Sequence, residues 1–264
     1  MLGKLLKYDY RSNLYYFLLM YAVFIGITFL ARVSISMVDI DYPAFDNDVL
    51  SMMTVMGSVV MYFIGCGALM VLTYLMIAMR FYKNLMGNEG YLSFTLPVSY
   101  HSHLISKIIS GVTLLIVSFV ILALSGVILT AGTDMWGYPM VSFAERLFEA
   151  VKLYNPFIAI LYVLNGLVSV IQMVLVIYFS ICVGQLVSKH RVLAAIGIYI
   201  GTNIVLGMIS ALGSTIFISL LDGSYGSTLY FTVTNLASIL FKTAVAAGGY
   251  IGSYCILKHR LNLE

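Results

Sequence analysis

Histidines and cysteines are the side chains with which this chain could carry out metal or nucleophilic chemistry. His101 and His103 could share a metal ion, but the sequence supplies no further ligand close to them. The three cysteines lie in separate apolar runs without a CxxC partner, which is typical of core residues. The HExxH pattern of a metalloprotease and the GxxxxGK[ST] loop that cradles ATP phosphates are both absent. We therefore expect no metal site, no bound cofactor and no enzymatic activity in this chain.

The segment 80–107 combines helix breaks with a short apolar stretch and reads RFYKNLMGNEGYLSFTLPVSYHSHLISK. The Gly-Asn pair at 87–88 predicts a helix end, and Pro97 interrupts local structure. Ser99 or Ser102 can cap the helix that follows. An apolar element held between two helices is typical of a surface that docks into a groove of a partner protein. The alternative is an interfacial helix that lies on lipid.

The composition determines what kind of protein carries these features. Of 264 residues, 61% are hydrophobic and 9% are charged. Soluble domains carry roughly 45–50% apolar and about 25% charged residues, so a soluble globular protein is excluded. Intrinsic disorder is excluded as well, because it requires low hydrophobicity. The net charge of +3 is too small to indicate a nucleic-acid partner, and an integral membrane protein remains.

Six apolar runs are each long enough to cross a hydrocarbon core, which takes about 20 residues. The runs are continuous rather than alternating, which favours helices over a β-barrel. The sequence predicts an all-α integral membrane protein that forms a single transmembrane domain over residues 1–264. The predicted spans are about 14–35, 51–79, 108–131, 156–187, 192–221 and 229–257.

Basic residues set the predicted orientation, because they remain on the cytoplasmic side of short loops. With the N-terminus inside, ten of the 14 Lys and Arg residues fall in cytoplasmic segments. The outer segments then hold eight of the 11 acidic residues. The sequence therefore predicts that both termini are cytoplasmic.

The residues before the first span are amphipathic. Leu2, Leu5 and Leu6 share one helical face, whereas Lys4 and Lys7 tend toward the other. This pattern predicts a short interfacial helix along the inner membrane surface. The alternative is a frayed basic tail.

The chain between the fifth and sixth spans is longer than two minimal helices require. Starting at Arg191, about 20 residues bring the fifth helix across the bilayer to Gly213. Residues 213–241 still contain two strongly apolar arms around a Gly-rich turn. We expect a re-entrant pair of short helices here, and two overlong helices are the alternative.

Polar residues are rare within the spans, and no Asp or Glu lies in any of them. Lys242 precedes Lys258 by 16 residues, or about 24 Å along a helix, which places it in the outer leaflet. We interpret Lys242 as an anchor that snorkels to the headgroups rather than as a coupling residue. Asn165, Gln172 and Asn203 are more typical of interhelical hydrogen bonds than of substrate ligands, with Asn203 as the candidate for the substrate path.

The segment 83–107 resembles the first cytoplasmic loop of ATP-binding-cassette (ABC) permeases, and more narrowly that of the type-2 exporter permeases of Gram-positive bacteria. The shared elements are a basic start, NEGYL at 88–92, LPVS at 96–99 and Lys107 at the next helix. Six spans, cytoplasmic termini and an acidic first outer loop agree with the layout of that family. The specific motif covers only about residues 80–107.

The resemblance implies that this loop forms a coupling helix in a groove of a separate cytoplasmic ABC ATPase subunit. It also implies a second permease chain, identical or paralogous, with the second and fifth helices lining the path between the two. An interfacial N-terminal helix and a re-entrant pair before the last span are features of the same family. ATP and Mg²⁺ would be bound by the ATPase, and the contacts with that subunit would fall to Glu89, Gly90, Tyr91, Leu92, Phe94 and Pro97.

The function expected from the resemblance is export of a substrate, such as a peptide or a lipid-like molecule, across the plasma membrane of a Gram-positive bacterium. One alternative is an ion-coupled secondary transporter. Proton coupling would require intramembrane carboxylates or histidines, which the spans lack, whereas sodium coupling through carbonyls would not. The other alternative is an accessory or immunity membrane protein that binds a partner and transports nothing.

Overall fold

This computed structural model describes six stretches of the chain, and each of them contains one long helix. The described residues are 2–36, 49–87, 99–130, 156–187, 189–220 and 228–259. A π-helical turn, Tyr82–Met86, continues α2. The helices are α1 (Leu2–Ser36), α2 (Val49–Phe81), α3 (Tyr100–Thr130), α4 (Pro156–Gly184), α5 (Arg191–Leu220) and α6 (Thr228–His259).

Each helix contains a segment that is long and apolar enough to cross a membrane, so the six predicted spans are confirmed. The chain is a multi-pass, all-helical membrane protein in the part that the structure describes. The membrane-spanning segments are Leu14–Ile35, Met53–Met86, Tyr100–Leu129, Pro156–Gly184, Arg191–Phe217 and Leu229–Lys258.

Helix-breaking residues lie where the helices begin and end. None of the four prolines lies inside a described helix, and Pro156 is the first residue of α4, where its missing N–H costs no hydrogen bond. The Ser99 hydroxyl accepts a hydrogen bond from the Ser102 backbone N–H at 3.3 Å. The predicted cap of α3 is therefore confirmed at Ser99, and α3 begins eight residues before the predicted start of the third span.

The N-terminal segment differs from the expected arrangement. Residues 2–36 form one continuous helix, so the described backbone does not separate an interfacial helix from the first span. The physical reason lies in the sequence, because residues 4–25 contain neither glycine nor proline to end the helix.

The described residues do not test the expected re-entrant pair at 213–241. Its first arm continues α5 as far as Leu220, and its second arm belongs to α6 from Thr228 onward. The described backbone of both arms is helical, and the choice between a re-entrant pair and two long helices stays a prediction. The Gly-rich turn at 221–227 lies outside the described residues.

The contacts within the chain group its residues into two compact units, and the single transmembrane domain stays a prediction. Unit A comprises 1–6, 76–112 and 151–264, whereas unit B comprises 7–75 and 113–150. Because α2 and α3 each contribute residues to both units, the division does not follow a linker in the sequence.

Unit B is held together by hydroxyl groups between apolar helices. The buried Ser118 hydroxyl on α3 lies 2.8 Å from the Tyr21 hydroxyl on α1 and 3.1 Å from the Thr73 hydroxyl on α2. Farther along the same helices, Tyr62 and Ser125 hydrogen-bond at 3.0 Å. Helices in a bilayer gain little free energy by burying apolar surface against each other, so hydrogen bonds between them matter more. Each contributes roughly 0.6 kcal/mol to the stability of the helix packing.

Unit A is organised around α4, which packs against both α5 and α6. A Cβ atom at Gly184 would lie 2.7 Å from the Ala195 side chain, so α4 and α5 approach closely there. Along the other face, Leu175 lies against Gly249 and Phe179 against Gly252. Because these residue numbers rise together, α4 and α6 run in the same direction, and α5 returns the chain between them.

Candidate functional site

The residues predicted to contact an ATPase lie outside the described part of the chain. These are Glu89, Gly90, Tyr91, Leu92, Phe94 and Pro97, within the segment 88–98. The structure does describe both helix ends from which this segment emerges. Both ends belong to unit A. Their packing determines which other helices would be affected by a movement of the segment.

The first end is the last part of α2 and its π-helical turn. Phe81 and Leu85 are both 1% exposed, so each side chain is held inside unit A. The Gly87 backbone N–H donates to the Tyr82 carbonyl at 2.9 Å and closes the turn. The helical structure ends here, as the Gly-Asn pair predicted. Single π-helical turns are rare and frequently occur at functional sites.

The second end is the first part of α3, and a tyrosine of α4 contacts both ends. The Tyr178 ring stacks on the Phe81 ring with centroids 4.0 Å apart. Its hydroxyl donates to the Lys107 carbonyl at 2.9 Å. A Cβ atom at Gly111 would lie 2.8 Å from the same hydroxyl, so only glycine fits there without a shift. We call Phe81, Lys107, Gly111 and Tyr178 the α4 anchor.

A second contact ties the beginning of α3 to α6. The His101 ring stacks on the Tyr254 ring at 4.0 Å between centroids. His101 Nδ1 lies 2.8 Å from the Tyr250 hydroxyl, within hydrogen-bond distance. The segment 88–98 is thus bounded by helix ends fixed to α4 and, on the α3 side, to α6.

The same contacts bear on the metal chemistry considered for His101 and His103. His101 is exposed and engaged by two tyrosines, whereas His103 is buried, at 5% exposure. Across the ranges that the structure describes, no three His, Cys, Asp or Glu side chains form a group that could hold a metal ion.

A second polar site lies between α4 and α6. Lys242 Nζ donates hydrogen bonds to Asn165 Oδ1 and, at 2.8 Å, to Ser169 Oγ. Asn165 Nδ2 donates to Asn235 Oδ1 at 2.9 Å, and Asn235 Nδ2 donates to the Phe231 carbonyl at 2.8 Å. We call Asn165, Ser169, Asn235 and Lys242 the polar cluster.

The direction of these hydrogen bonds follows from the lysine. An ammonium group only donates, so the Asn165 oxygen must face Lys242 and its NH₂ group must face Asn235. The Asn235 oxygen accepts that bond, which turns its own NH₂ group to the Phe231 carbonyl. Ser169 Oγ accepts from Lys242 and donates to the Asn165 carbonyl at 2.7 Å. The polar cluster is therefore a series of hydrogen bonds that runs from Lys242 through Asn165 to Asn235, and Lys242 carries its single positive charge.

This geometry corrects the interpretation of Lys242 as a snorkelling anchor. Its ammonium group is held by side chains of a neighbouring helix instead of extending to the end of α6. Asn165 and Ser169 make this possible because residues four apart lie on one face of a helix.

Of the three amides considered from the sequence, Asn165 and Asn203 do not behave alike, and Gln172 is half-buried on α4. The expectation of an interhelical hydrogen bond is confirmed for Asn165. Asn203, the substrate-path candidate, is exposed and donates to the Tyr199 carbonyl of its own helix at 2.8 Å. The described contacts therefore do not join Asn203 to the polar cluster.

Two signals for the polar cluster are present in the sequence. Asn165 and Ser169 are four residues apart, and Asn235 and Lys242 are seven apart, so each pair forms a polar stripe on one helix face. The missing information is which helices pack together, because α4 and α6 are not consecutive in the chain.

Comparison with known proteins adds no family assignment to these observations. The chain matches no family model, and it has no significant similarity to a curated protein or to a solved structure.

Proposed function

We propose that this chain is the membrane-spanning subunit of an ABC exporter. In this proposal it moves a substrate, such as a peptide or a lipid-like molecule, outward across the plasma membrane of a Gram-positive bacterium. ATP and Mg²⁺ are bound and ATP is hydrolysed by a separate cytoplasmic ABC ATPase, and a second permease chain completes the path. Both termini and the segment 88–98 then face the cytoplasm.

The observation that carries the proposal is the position of the family-like motif between two fixed helix ends. The specific elements of the motif lie almost entirely within the segment 88–98, and the α4 anchor holds the helices on both sides of it. A stacked aromatic pair contributes about 0.5–1.5 kcal/mol and the tyrosine hydrogen bond about 1 kcal/mol. A force applied to the segment is therefore passed to α4 rather than absorbed by loose helix ends. A partner ATPase can move the membrane helices only if the segment it contacts is firmly connected to them.

The surface of α5 is consistent with a path or interface formed by two chains. In the most apolar part of its span, Arg191–Phe217, none of the residues is buried. Apolar side chains such as Leu193 and Met208 are more than 60% exposed. This face needs lipid or a second helix to cover it, and in the proposal the second permease chain lies there together with lipid.

The test is co-purification of the intact chain from its native membrane, followed by mass spectrometry. The wild type is compared with the double variant Glu89→Lys/Tyr91→Ala, which reverses a charge and removes an aromatic ring in the expected ATPase contact. The matched control is Glu145→Lys/Tyr138→Ala, which makes the same changes in a segment expected outside. We expect an ABC ATPase with the wild type and the control, and its loss from the Glu89/Tyr91 variant.

Two outcomes would contradict the proposal. If no ABC ATPase accompanies the wild type, the assignment as an ABC exporter fails. The two alternatives, an ion-coupled secondary transporter and an accessory membrane protein, are then favoured. If the ATPase remains with the Glu89/Tyr91 variant but is lost from the control, the coupling segment has been assigned to the wrong side.

A further inference from the structure

The polar cluster carries a positive charge that the described chain does not balance. Both side chains that accept hydrogen bonds from Lys242 are neutral. No acidic residue lies in any of the six spans, and Asp9 in α1 is the single acidic residue in the described ranges. Isolated charges within a bilayer cost several kcal/mol, and such residues pair with an opposite charge or mark a ligand pathway.

The cluster also holds more donors than acceptors. Lys242 has three N–H groups, and the described contacts use two of them. Asn165 and Asn235 each use one of two amide N–H groups. The two acceptors next to the ammonium group, Asn165 Oδ1 and Ser169 Oγ, already accept its first two hydrogen bonds. What the site lacks is therefore an acceptor group, and a negatively charged one would complete both the charge and the hydrogen bonds.

The position of the cluster indicates where that group would come from. Lys242 lies about 21 Å along α6 from Thr228 and about 26 Å from His259, near the middle of the helix. Lys242, Asn165 and Ser169 are half-buried and Asn235 is buried, so the Lys242 side of the cluster is the side that is partly exposed at the surface of unit A. Gly166 lies next to Asn165, and a Cβ atom built there meets no atom within 4 Å. A ligand approaching at this depth must have an apolar body.

We propose that the polar cluster binds the anionic group, a phosphate or a carboxylate, of an amphiphile embedded in the membrane. Lys242 supplies the charge and, through the N–H group that the described contacts do not use, a charge-assisted hydrogen bond, while Asn165 and Ser169 hold the ammonium group in place. A resident anionic phospholipid and a transported anionic amphiphile share this chemistry. The inference does not depend on coupling to an ATPase and goes beyond the proposed exporter function.

The test measures binding by thermal stabilisation of the purified full-length chain in a neutral detergent. Phosphatidylglycerol is titrated as the anionic amphiphile, phosphatidylcholine as the zwitterionic one, and inorganic phosphate as the anion without an apolar body. A ligand that binds the folded state raises the unfolding midpoint in proportion to its occupancy. We expect phosphatidylglycerol to stabilise the wild type, and the two other probes to have little effect.

Variants assign the effect to the cluster. Lys242→Gln should weaken the apparent phosphatidylglycerol affinity about tenfold or more, because it removes a charge-assisted hydrogen bond. Lys189→Gln removes one positive charge at an exposed position of unit A and should respond as the wild type. Asn165→Asp is the second variant, since it places a carboxylate on Lys242 without changing side-chain size. It should fold and lose the response to phosphatidylglycerol.

Three results would overturn the inference. The first is an equal response of Lys242→Gln and Lys189→Gln, which would indicate general attraction of anionic lipid to a basic protein. The second is an unchanged response of a well-folded Asn165→Asp variant. The third is a Lys242-dependent shift with inorganic phosphate alone, which would retain an anion site but refute its assignment to a membrane amphiphile.

Discussion

The polar cluster makes a quantitative prediction about non-additive stability. In Asn165→Leu, Lys242 loses one of its two described acceptors, and the hydrogen bond to Asn235 is also broken. Loss of the charged bond costs about 1.5–3 kcal/mol, and loss of the amide bond costs about 0.6 kcal/mol in a membrane protein. We expect Asn165→Leu to lower the free energy of unfolding by about 2–3.5 kcal/mol.

The partner variant Lys242→Met should behave differently, although it removes the same bond. It gives up the hydrogen bonds of the ammonium group but also removes a charge whose transfer into a bilayer costs about 2.5–3.5 kcal/mol. At about 1.5 kcal/mol each, the lower end of the range for half-buried charged bonds, the two bonds total about 3 kcal/mol and nearly cancel this cost, so we expect a stability within about 1 kcal/mol of the wild type. In the double variant with Asn165→Leu, no buried charge is left without its acceptor. The double variant should therefore be more stable than Asn165→Leu alone, with a coupling free energy of about 1.5 kcal/mol.

The measurement is equilibrium unfolding in mixed micelles with an increasing mole fraction of sodium dodecyl sulfate, followed by circular dichroism. A control cycle pairs Lys242→Met with Asn203→Leu, because Asn203 donates to a carbonyl of its own helix and should add independently. Additivity of the Asn165 cycle within about 0.5 kcal/mol would refute the described geometry. A Lys242→Met variant less stable than Asn165→Leu would refute the argument that the charge is costly.

Three further predictions concern packing and capping. Gly111→Ala should lower the free energy of unfolding by about 1–3 kcal/mol, because the new Cβ atom would lie 2.8 Å from the Tyr178 hydroxyl. The control is Gly126→Ala on the same helix, where the nearest atom lies 3.9 Å from the new Cβ atom. In the same unfolding assay it should cost less than 1 kcal/mol. Ser118→Ala should cost about 1–2 kcal/mol by removing a hydroxyl shared by two helices, and the exposed Ser214→Ala, which loses a bond to its own helix only, should be near neutral. Ser99→Ala should cost about 1 kcal/mol locally, detected as about fivefold faster hydrogen exchange in the first turn of α3, and unchanged exchange there would refute its role as a cap.

The number of spans was predictable because hydropathy and length are local properties of the sequence. Each predicted run coincides with a described helix. The boundaries were less accurate where polar residues extend a helix beyond the apolar run. The third helix begins at Tyr100 because Ser99 caps it, although the apolar run starts eight residues later. Hydropathy reports the lipid-facing part of a helix, whereas capping determines its actual end.

The candidate site was only partly predictable, and the reason is the distance along the chain. The sequence marked the segment 88–98 through its helix breaks, but the Tyr178 contact lies more than 70 residues from Lys107. Lys242 and Asn165 are separated by 77 residues and by an intervening helix. Interpreting each residue alone favoured snorkelling for the lysine and a neutral hydrogen bond for the amide. Only the parallel packing of α4 and α6 joins them.

The two sites meet on the same helix, and this gives α4 a specific mechanical role. Tyr178 of the α4 anchor and Ser169 of the polar cluster are nine residues apart, or about 14 Å along the helix. The half of α4 around Tyr178 is its most buried part, with nearly every residue from Val174 to Cys182 enclosed by protein. Close packing of this kind favours movement of the segment as a rigid element over bending. In the proposed exporter, displacement of the anchor by a partner at 88–98 would therefore be carried along α4 to Asn165 and Ser169. Because the ammonium group on α6 is held by these two residues of α4, any movement of α4 relative to α6 would change its hydrogen bonds, and in the proposed exporter the polar cluster is where force on the segment 88–98 would act.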